Sequence, residues 1–142
     1  MGWRSGVRGK TRLDVLKDSV DKMLESYDKL GQVKVQIVTF TGRSKLLSVN
    51  GNSWFTIKAA MDLIDKLEPE NNTDYDDALA KAERAWNHGG GDRITGGNNV
   101  SYFISDGAPN RNDRIDANEA DKWIKHLNSN NIVSQAIGIT GT

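Results

Sequence analysis

The chain has 142 residues, the usual length of one domain. Its 19 basic and 19 acidic residues cancel, which gives no electrostatic reason to expect nucleic acid or an anionic membrane as its main partner. The absence of cysteine excludes disulfides, thiolate metal sites and cysteine catalysis. Since His88 and His126 are its two histidines, any bound metal is expected to be a hard cation held by oxygens.

Apolar residues at three- and four-residue steps predict a first amphipathic helix over residues 12–30, with Gly31 as its C-cap. Residues 33–40 are rich in β-branched side chains and predict a strand. Residues 45–49 predict a weaker strand that forms a hairpin with the previous one. The first half of the chain is therefore expected to alternate helix and strand.

A second helix is predicted over residues 53–67, with Ser53 as its N-cap. A third, over residues 74–87, has three acidic residues in its first turn that suit the positive end of the helix dipole: Asp74, Asp76 and Asp77. After a glycine-rich loop, the chain predicts a strand at 100–104, a helix at 115–127 and a strand at 132–139. This order predicts an α/β fold with a mostly parallel sheet flanked by helices, forming one domain over residues 1–142.

Two polar loops are expected at the carboxyl ends of the strands, where ligands gather in open α/β sheets. One is N-T-D-Y-D-D-A-L at residues 72–79, before the third helix, and the other is S-D-G-A-P-N at residues 105–110, after a strand. Their hydroxyl and carboxylate oxygens would suit Mg²⁺ or Ca²⁺. The simpler interpretation is also open: Thr73 caps a helix and Asp106 begins a turn.

The segments T-D-Y-D-D-A-L and F-I-S-D-G-A-P-N resemble the second and third motifs of the metal-ion-dependent adhesion site of von Willebrand factor type A domains. Their order and spacing also fit, as does V-Q-I-V-T-F after an amphipathic helix. The resemblance covers nearly the whole chain and implies a doubly wound, Rossmann-like sheet. It implies that Thr73 binds the metal through its hydroxyl and Asp106 directly or through water, with Asp74 and Ser105 as accessory ligands.

The first motif of that family, D-x-S-x-S, does not occur in the chain. Met1 resembles the methionine that commonly follows it, so the chain is expected to be truncated within the metal motif and incomplete at its C-terminus. The resemblance then implies that the first, central strand is lacking and that Mg²⁺ or Ca²⁺ binding is weak or lost. The strands at 33–40 and 100–104 would have to pair with each other or with another chain, giving a dimer or strand exchange.

The resemblance implies a non-enzymatic, metal-dependent adhesion module whose cation engages an acidic group of a protein ligand, without membrane insertion. A bacterial surface adhesin of the repeats-in-toxin kind, and hence an extracellular location, is the favoured setting. The alternative is an intracellular type A module that assembles a chelatase or AAA-ATPase complex in the cytoplasm. A hydrolase using Asp106 as an acid is disfavoured, because no loop carries an evident nucleophile.

Overall fold

The computed structural model describes residues 11–41, 43–68, 75–91, 93–94, 96–105 and 117–138. They contain both helices and strands, which confirms the predicted α/β class. In chain order the elements are α1 (Arg12–Asp28), β1 (Val38–Thr41), β2 (Arg43–Leu46), α2 (Ile57–Asp65), α3 (Tyr75–His88), β3 (Asn99–Ser105), α4 (Ala117–Ser129) and β4 (Ile132–Gly138). Within these described ranges, no helix is long and apolar enough to cross a membrane.

Helix α1 begins with a capping box, in which the Thr11 hydroxyl accepts a hydrogen bond from Asp14 N–H over 3.1 Å. The Asp14 carboxylate accepts the Thr11 N–H in return, over 2.9 Å. The helix ends at Asp28 with Lys29 as its C-cap, so the predicted end at residue 30 and cap at Gly31 were wrong. One stripe of α1 is buried and forms half of the main core: Leu13, Leu16, Val20 and Leu24.

The strand predicted over residues 33–40 is shorter and lies later than expected. Val35 forms an isolated antiparallel bridge with Phe55, and the regular ladder with β2 covers only β1. The second strand occupies 43–46 instead of the predicted 45–49, because its ladder with β1 extends to the pairing of Thr41 with Arg43. The change of partner from Phe55 to β2 explains why a continuous β-rich sequence does not form one continuous strand.

Helix α2 begins later than predicted, since Thr56 is its N-cap and accepts a hydrogen bond from Ala59 N–H over 3.3 Å. Ser53, the predicted cap, is fully buried and has another role. Its hydroxyl donates to Gly90 O over 2.9 Å and accepts from Gln36 Nε2 over 3.0 Å. A sequence pattern cannot separate these two roles, because both use the same hydroxyl.

The described strands form two two-stranded sheets: β1 and β2 are antiparallel, whereas β3 and β4 are parallel. The parallel register runs from Asn99 opposite Ile132 to Ser105 opposite Gly138, close to the predicted bounds of both strands. Among the described residues, β1 and β3 are not hydrogen-bonded neighbours. These two strands were expected to pair with each other or with another chain, and the described residues do not show them paired with each other.

Helices lie in two layers. Helices α1 and α2 pack together and, with Phe55, enclose the largest core cluster, onto which Ile104 of β3 also packs. Helix α3 packs on β1 and β2, and α4 packs on α3 and β4. Helix α4 contains no buried residue, and its Ile124 is 53% exposed.

Candidate functional site

The predicted metal ligands Thr73, Asp74 and Asp106 lie outside the described residues. Ser105, the predicted accessory ligand, is described as the last residue of β3. Their roles stay predictions, and the structure describes the elements to which their loops are attached: the start of α3 and the end of β3.

The start of α3 is bound to the β1–β2 hairpin by Asp77. Its Oδ2 atom accepts a hydrogen bond from the backbone N–H of Ser44 over 2.6 Å. Ser44 is buried, with 9% of its surface exposed, and an ionised acceptor makes this kind of bond strong. The third residue of α3 is therefore fixed against the second residue of β2.

The ends of β1 and β3 meet through an aromatic pair. The rings of Phe40 and Phe103 stack with centroids 5.0 Å apart and planes inclined by 23°. Phe40 lies one residue before the end of β1, and Phe103 lies two residues before the end of β3. The carboxyl ends of two strands from different sheets thus lie side by side.

These two contacts define what we call the carboxyl edge: Phe40, Ser44, Asp77 and Phe103. The loop carrying Thr73 leads directly into α3, and the loop carrying Asp106 leaves β3 directly after Ser105. Connectivity therefore attaches both predicted ligand loops to this one edge, as expected for an open α/β sheet.

The side chains in those loops offer oxygen atoms, the type of ligand that a hard cation prefers. A threonine hydroxyl, a serine hydroxyl and aspartate carboxylates are oxygen ligands of the type that Mg²⁺ and Ca²⁺ prefer. They are fewer than the six or more oxygens that surround these ions, so water would have to complete the coordination. Weak binding of a divalent cation is the chemistry that this set of residues supports.

Elsewhere in the described part of the chain, no group of three or more histidine or acidic side chains is arranged to hold a metal ion. Asp21 of α1 and Asp65 of α2 interact across the two packed helices. Burial, a hydrogen bond with Asp65 and the charges of Asp65, Asp18 and Glu25 raise the pKa of Asp21 to about 6. Below about pH 6 a proton on Asp21 relieves the repulsion between these two carboxyl groups.

On the α1 side of β3, Tyr27 and Tyr102 make edge-to-face ring contact, and their hydroxyls are 2.5 Å apart. This hydrogen bond, together with burial, raises the pKa of Tyr102 to about 12. Tyr102 therefore stays neutral at physiological pH, and the pair attaches β3 to the end of α1. It has a packing role and supplies no charged ligand.

A second aromatic cluster surrounds the C-terminal end of α3, away from the helix start at the carboxyl edge. Trp86 meets Trp54 and His126 edge to face, with centroids 5.4 Å and 6.3 Å away. The Arg93 guanidinium lies 4.6 Å from the Trp86 ring centroid. His126 also contacts Trp123, and burial lowers its pKa.

The role of Asp77 was missed in the sequence, where it was assigned to the helix dipole. Its position in the first turn of α3 agrees with that assignment. The bond to Ser44 spans 33 residues, so neither local spacing nor periodicity indicates it.

Comparison with known proteins agrees with this architecture. The sequence profile described as the von Willebrand factor type A domain matches residues 1–108. The chain is similar to the solved structure of a von Willebrand factor type A protein from Catenulispora acidiphila, with 14% identity and a TM-score of 0.61 over 89% of this chain and 29% of that one. No curated protein matches the chain.

A second similar fold is that of proximal thread matrix protein 1 from the mussel byssus, with 19% identity and a TM-score of 0.61. It covers 89% of this chain and 32% of that protein, so the chain spans about a third of the length of the solved structures it matches. At these identities the likeness shows the fold alone.

Since the family profile covers more than half of the chain, the protein belongs to the von Willebrand factor type A domain family. Domains of this class generally act as non-enzymatic modules for protein–protein interaction and commonly bind divalent metal ions.

Proposed function

We propose that this domain binds a protein ligand through a divalent cation held at the carboxyl edge. Thr73 and Asp106 would hold Mg²⁺ or Ca²⁺, with Asp74 and Ser105 as accessory ligands, and an open coordination position would accept an acidic group of the ligand. The observation that carries the proposal is the junction of the α3 start with the ends of β1 and β3, made by the Asp77–Ser44 and Phe40–Phe103 contacts.

Adhesion is the proposed role of this binding, since a cation with an open position recognises a carboxylate without an extended interface. The cation would bind weakly, because two main side-chain ligands offset little of the cost of dehydrating Mg²⁺. A ligand carboxylate would add another oxygen, and cation and ligand should therefore bind more tightly together than either does alone.

We also propose that the split between the two described sheets is closed in an assembly by a strand from a second copy. The backbone of Ile37 bonds towards β2 through Leu47 N–H, and alternation along an extended strand directs the backbone of Gln36 and Val38 to the opposite side. Strand exchange would supply a pairing partner on that side. A folded monomer at all concentrations in analytical ultracentrifugation would contradict this assembly.

The proposed setting is the bacterial cell surface, as part of a large adhesin. Loops rich in asparagine, glycine and aspartate and a sequence without cysteine support this setting. A cytoplasmic assembly module is the alternative, and the two are separated by locating the protein in fractionated cells of its source.

The test of the metal proposal is isothermal titration of the protein with Mg²⁺ and with Ca²⁺, compared with Thr73→Ala and Asp106→Ala. Asp121→Ala is the matched control, because Asp121 is an exposed aspartate on α4. We expect weak binding that both site variants abolish and the control retains. Binding that is unchanged in both site variants would overturn the proposal.

The ligand proposal is tested separately, with an immobilised peptide containing one aspartate and a matched peptide containing asparagine. Retention of the protein is expected only on the aspartate peptide and only when Mg²⁺ or Ca²⁺ is present. Equal retention on the two peptides, or retention in the presence of a chelator, would contradict recognition of a carboxylate by the cation.

A further inference from the structure

In the β1–β2 hairpin, one side of β2 faces away from β1. The backbone bond from Leu47 N–H to Ile37 O, together with the register of the ladder, makes Thr39 and Lys45 a hydrogen-bonded pair. Phe40 and Ser44 are then a non-hydrogen-bonded pair, so the N–H of Ser44 points away from β1. It is a donor on the outer edge of an edge strand.

This donor is the one that Asp77 binds, over 2.6 Å. A carboxylate at that position provides a charged acceptor for a buried N–H that would otherwise lack a partner, and it occupies the outer edge of β2. Helix α3 also packs against both strands of the hairpin. The hairpin is therefore held on α3 by packing and by the bond from Ser44 N–H to Asp77.

The bond lies close to the proposed metal loop along the chain. Asp77 follows Thr73 by four residues, and the intervening residues lead into the first turn of α3. Ala78 and Leu79, the next two residues, are each 4% exposed, so packing restrains this turn directly after Asp77. A movement of the hairpin turn would therefore be transmitted to the start of α3.

We propose that Asp77 is a positioning residue: its bond to Ser44 N–H unites the β1–β2 hairpin and the start of α3, and so fixes the base of the loop that carries Thr73. Only the predicted effect of Asp77 on cation binding rests on the proposed function. The union of hairpin and helix stands independently of any metal.

The test uses the full chain with two substitutions of the same residue. Asp77→Asn keeps a side-chain oxygen that can accept the Ser44 N–H, whereas Asp77→Ala removes the acceptor. Asp62→Ala, at an exposed position on α2, serves as the matched control. Hydrogen exchange of the hairpin amides is measured without metal, and Mg²⁺ titration follows at a temperature where circular dichroism shows every variant to be folded.

In Asp77→Ala we expect the Ser44 amide to exchange at least tenfold faster and the Mg²⁺ dissociation constant to rise several-fold. Asp77→Asn should restore most of both properties, and the control should match the wild type. Unchanged exchange at Ser44 in Asp77→Ala would overturn the inference, whatever the metal data show. Faster exchange with unchanged Mg²⁺ affinity would reduce Asp77 to a purely structural role and overturn its positioning role.

If the wild-type protein binds no Mg²⁺ at all, the proposed function fails, and the exchange data alone then decide whether Asp77 unites the hairpin with α3. If the Asp77→Ala variant is unfolded, Ser44→Pro takes its place in the experiment, because it removes the N–H donor of the same bond and keeps the Asp77 carboxylate. It should reproduce the loss of Mg²⁺ affinity, and an unchanged affinity would overturn the inference.

Discussion

Phe40 and Phe103 stack with ring centroids 5.0 Å apart although their strands belong to different two-stranded sheets. This contact joins the hairpin half of the domain to the parallel half. It lies at the same edge as the loops that carry the predicted metal ligands, so stability and function are expected to depend on it together.

Phe103→Ala should destabilise the protein by about 2 kcal/mol, because the ring is half-buried and its removal leaves a cavity beside Phe40. Phe103→Leu should cost about 1 kcal/mol or less. Denaturant unfolding measures both values. A double-mutant cycle with Phe40→Ala should give a coupling energy of about 0.5–1.5 kcal/mol, and strictly additive effects would contradict direct ring contact.

Asp21→Asn should stabilise the protein above pH 6 by about 1 kcal/mol, a value that allows for solvent screening at a partly exposed site. The folded-state pKa of Asp21, about 6, is higher than its ordinary value of 3.8. The contribution of protonated Asp21 to the free energy of unfolding is thus fully present below pH 3.8 and is lost as the pH rises through about 6.

Thermal unfolding of wild type and Asp21→Asn from pH 4 to pH 8 measures this difference. It should grow with pH and level off above pH 6. A difference that is constant with pH would show that Asp21 does not carry the altered pKa. Asp62→Asn, on the exposed side of α2, is the control and should give no such trend.

Gly90→Ala should destabilise the protein by about 2–3 kcal/mol, because a Cβ atom there would overlap the backbone carbonyl of Gly51. Gly90 O also accepts the Ser53 N–H over 2.6 Å, so the backbone cannot simply move away. Gly97→Ala is the matched control, since its Cβ would lie at an ordinary 3.7 Å from Ile94. Equal unfolding midpoints for the two variants would show that the close approach of Gly90 and Gly51 does not limit this position.

Gln36→Leu should cost about 2 kcal/mol, since Gln36 Nε2 donates to Ser53 Oγ over 3.0 Å and to Ala85 O over 2.9 Å. Leucine is an apolar side chain of similar size that cannot form these bonds. Gln135→Leu, at an exposed position on β4, should be nearly neutral in the same urea titration. A neutral Gln36→Leu would mean that the bonds to Ser53 and Ala85 add no net stability.

Apolar periodicity predicted all four described helices, most directly α1, whose apolar stripe from Leu13 to Leu24 is buried. The sequence also predicted the family, through two loops with definite motifs. It did not predict that Val35 pairs with Phe55 or that Ser53 is buried, because strand partners and side-chain hydrogen bonds are chosen by distant segments. The Asp77–Ser44 bond was missed for the same reason.

Paramagnetic line broadening by Mn²⁺, which occupies the same kind of oxygen site as Mg²⁺, tests the central claim most directly. In the wild-type protein we predict stronger broadening of the amide signals of Ser44, Asp77 and Phe103 than of the Trp86 indole signal, which lies towards the other end of α3. Asp106→Ala should remove this broadening. Broadening centred on Asp21 and Asp65, or broadening that persists in Asp106→Ala, would contradict a cation site at the carboxyl edge.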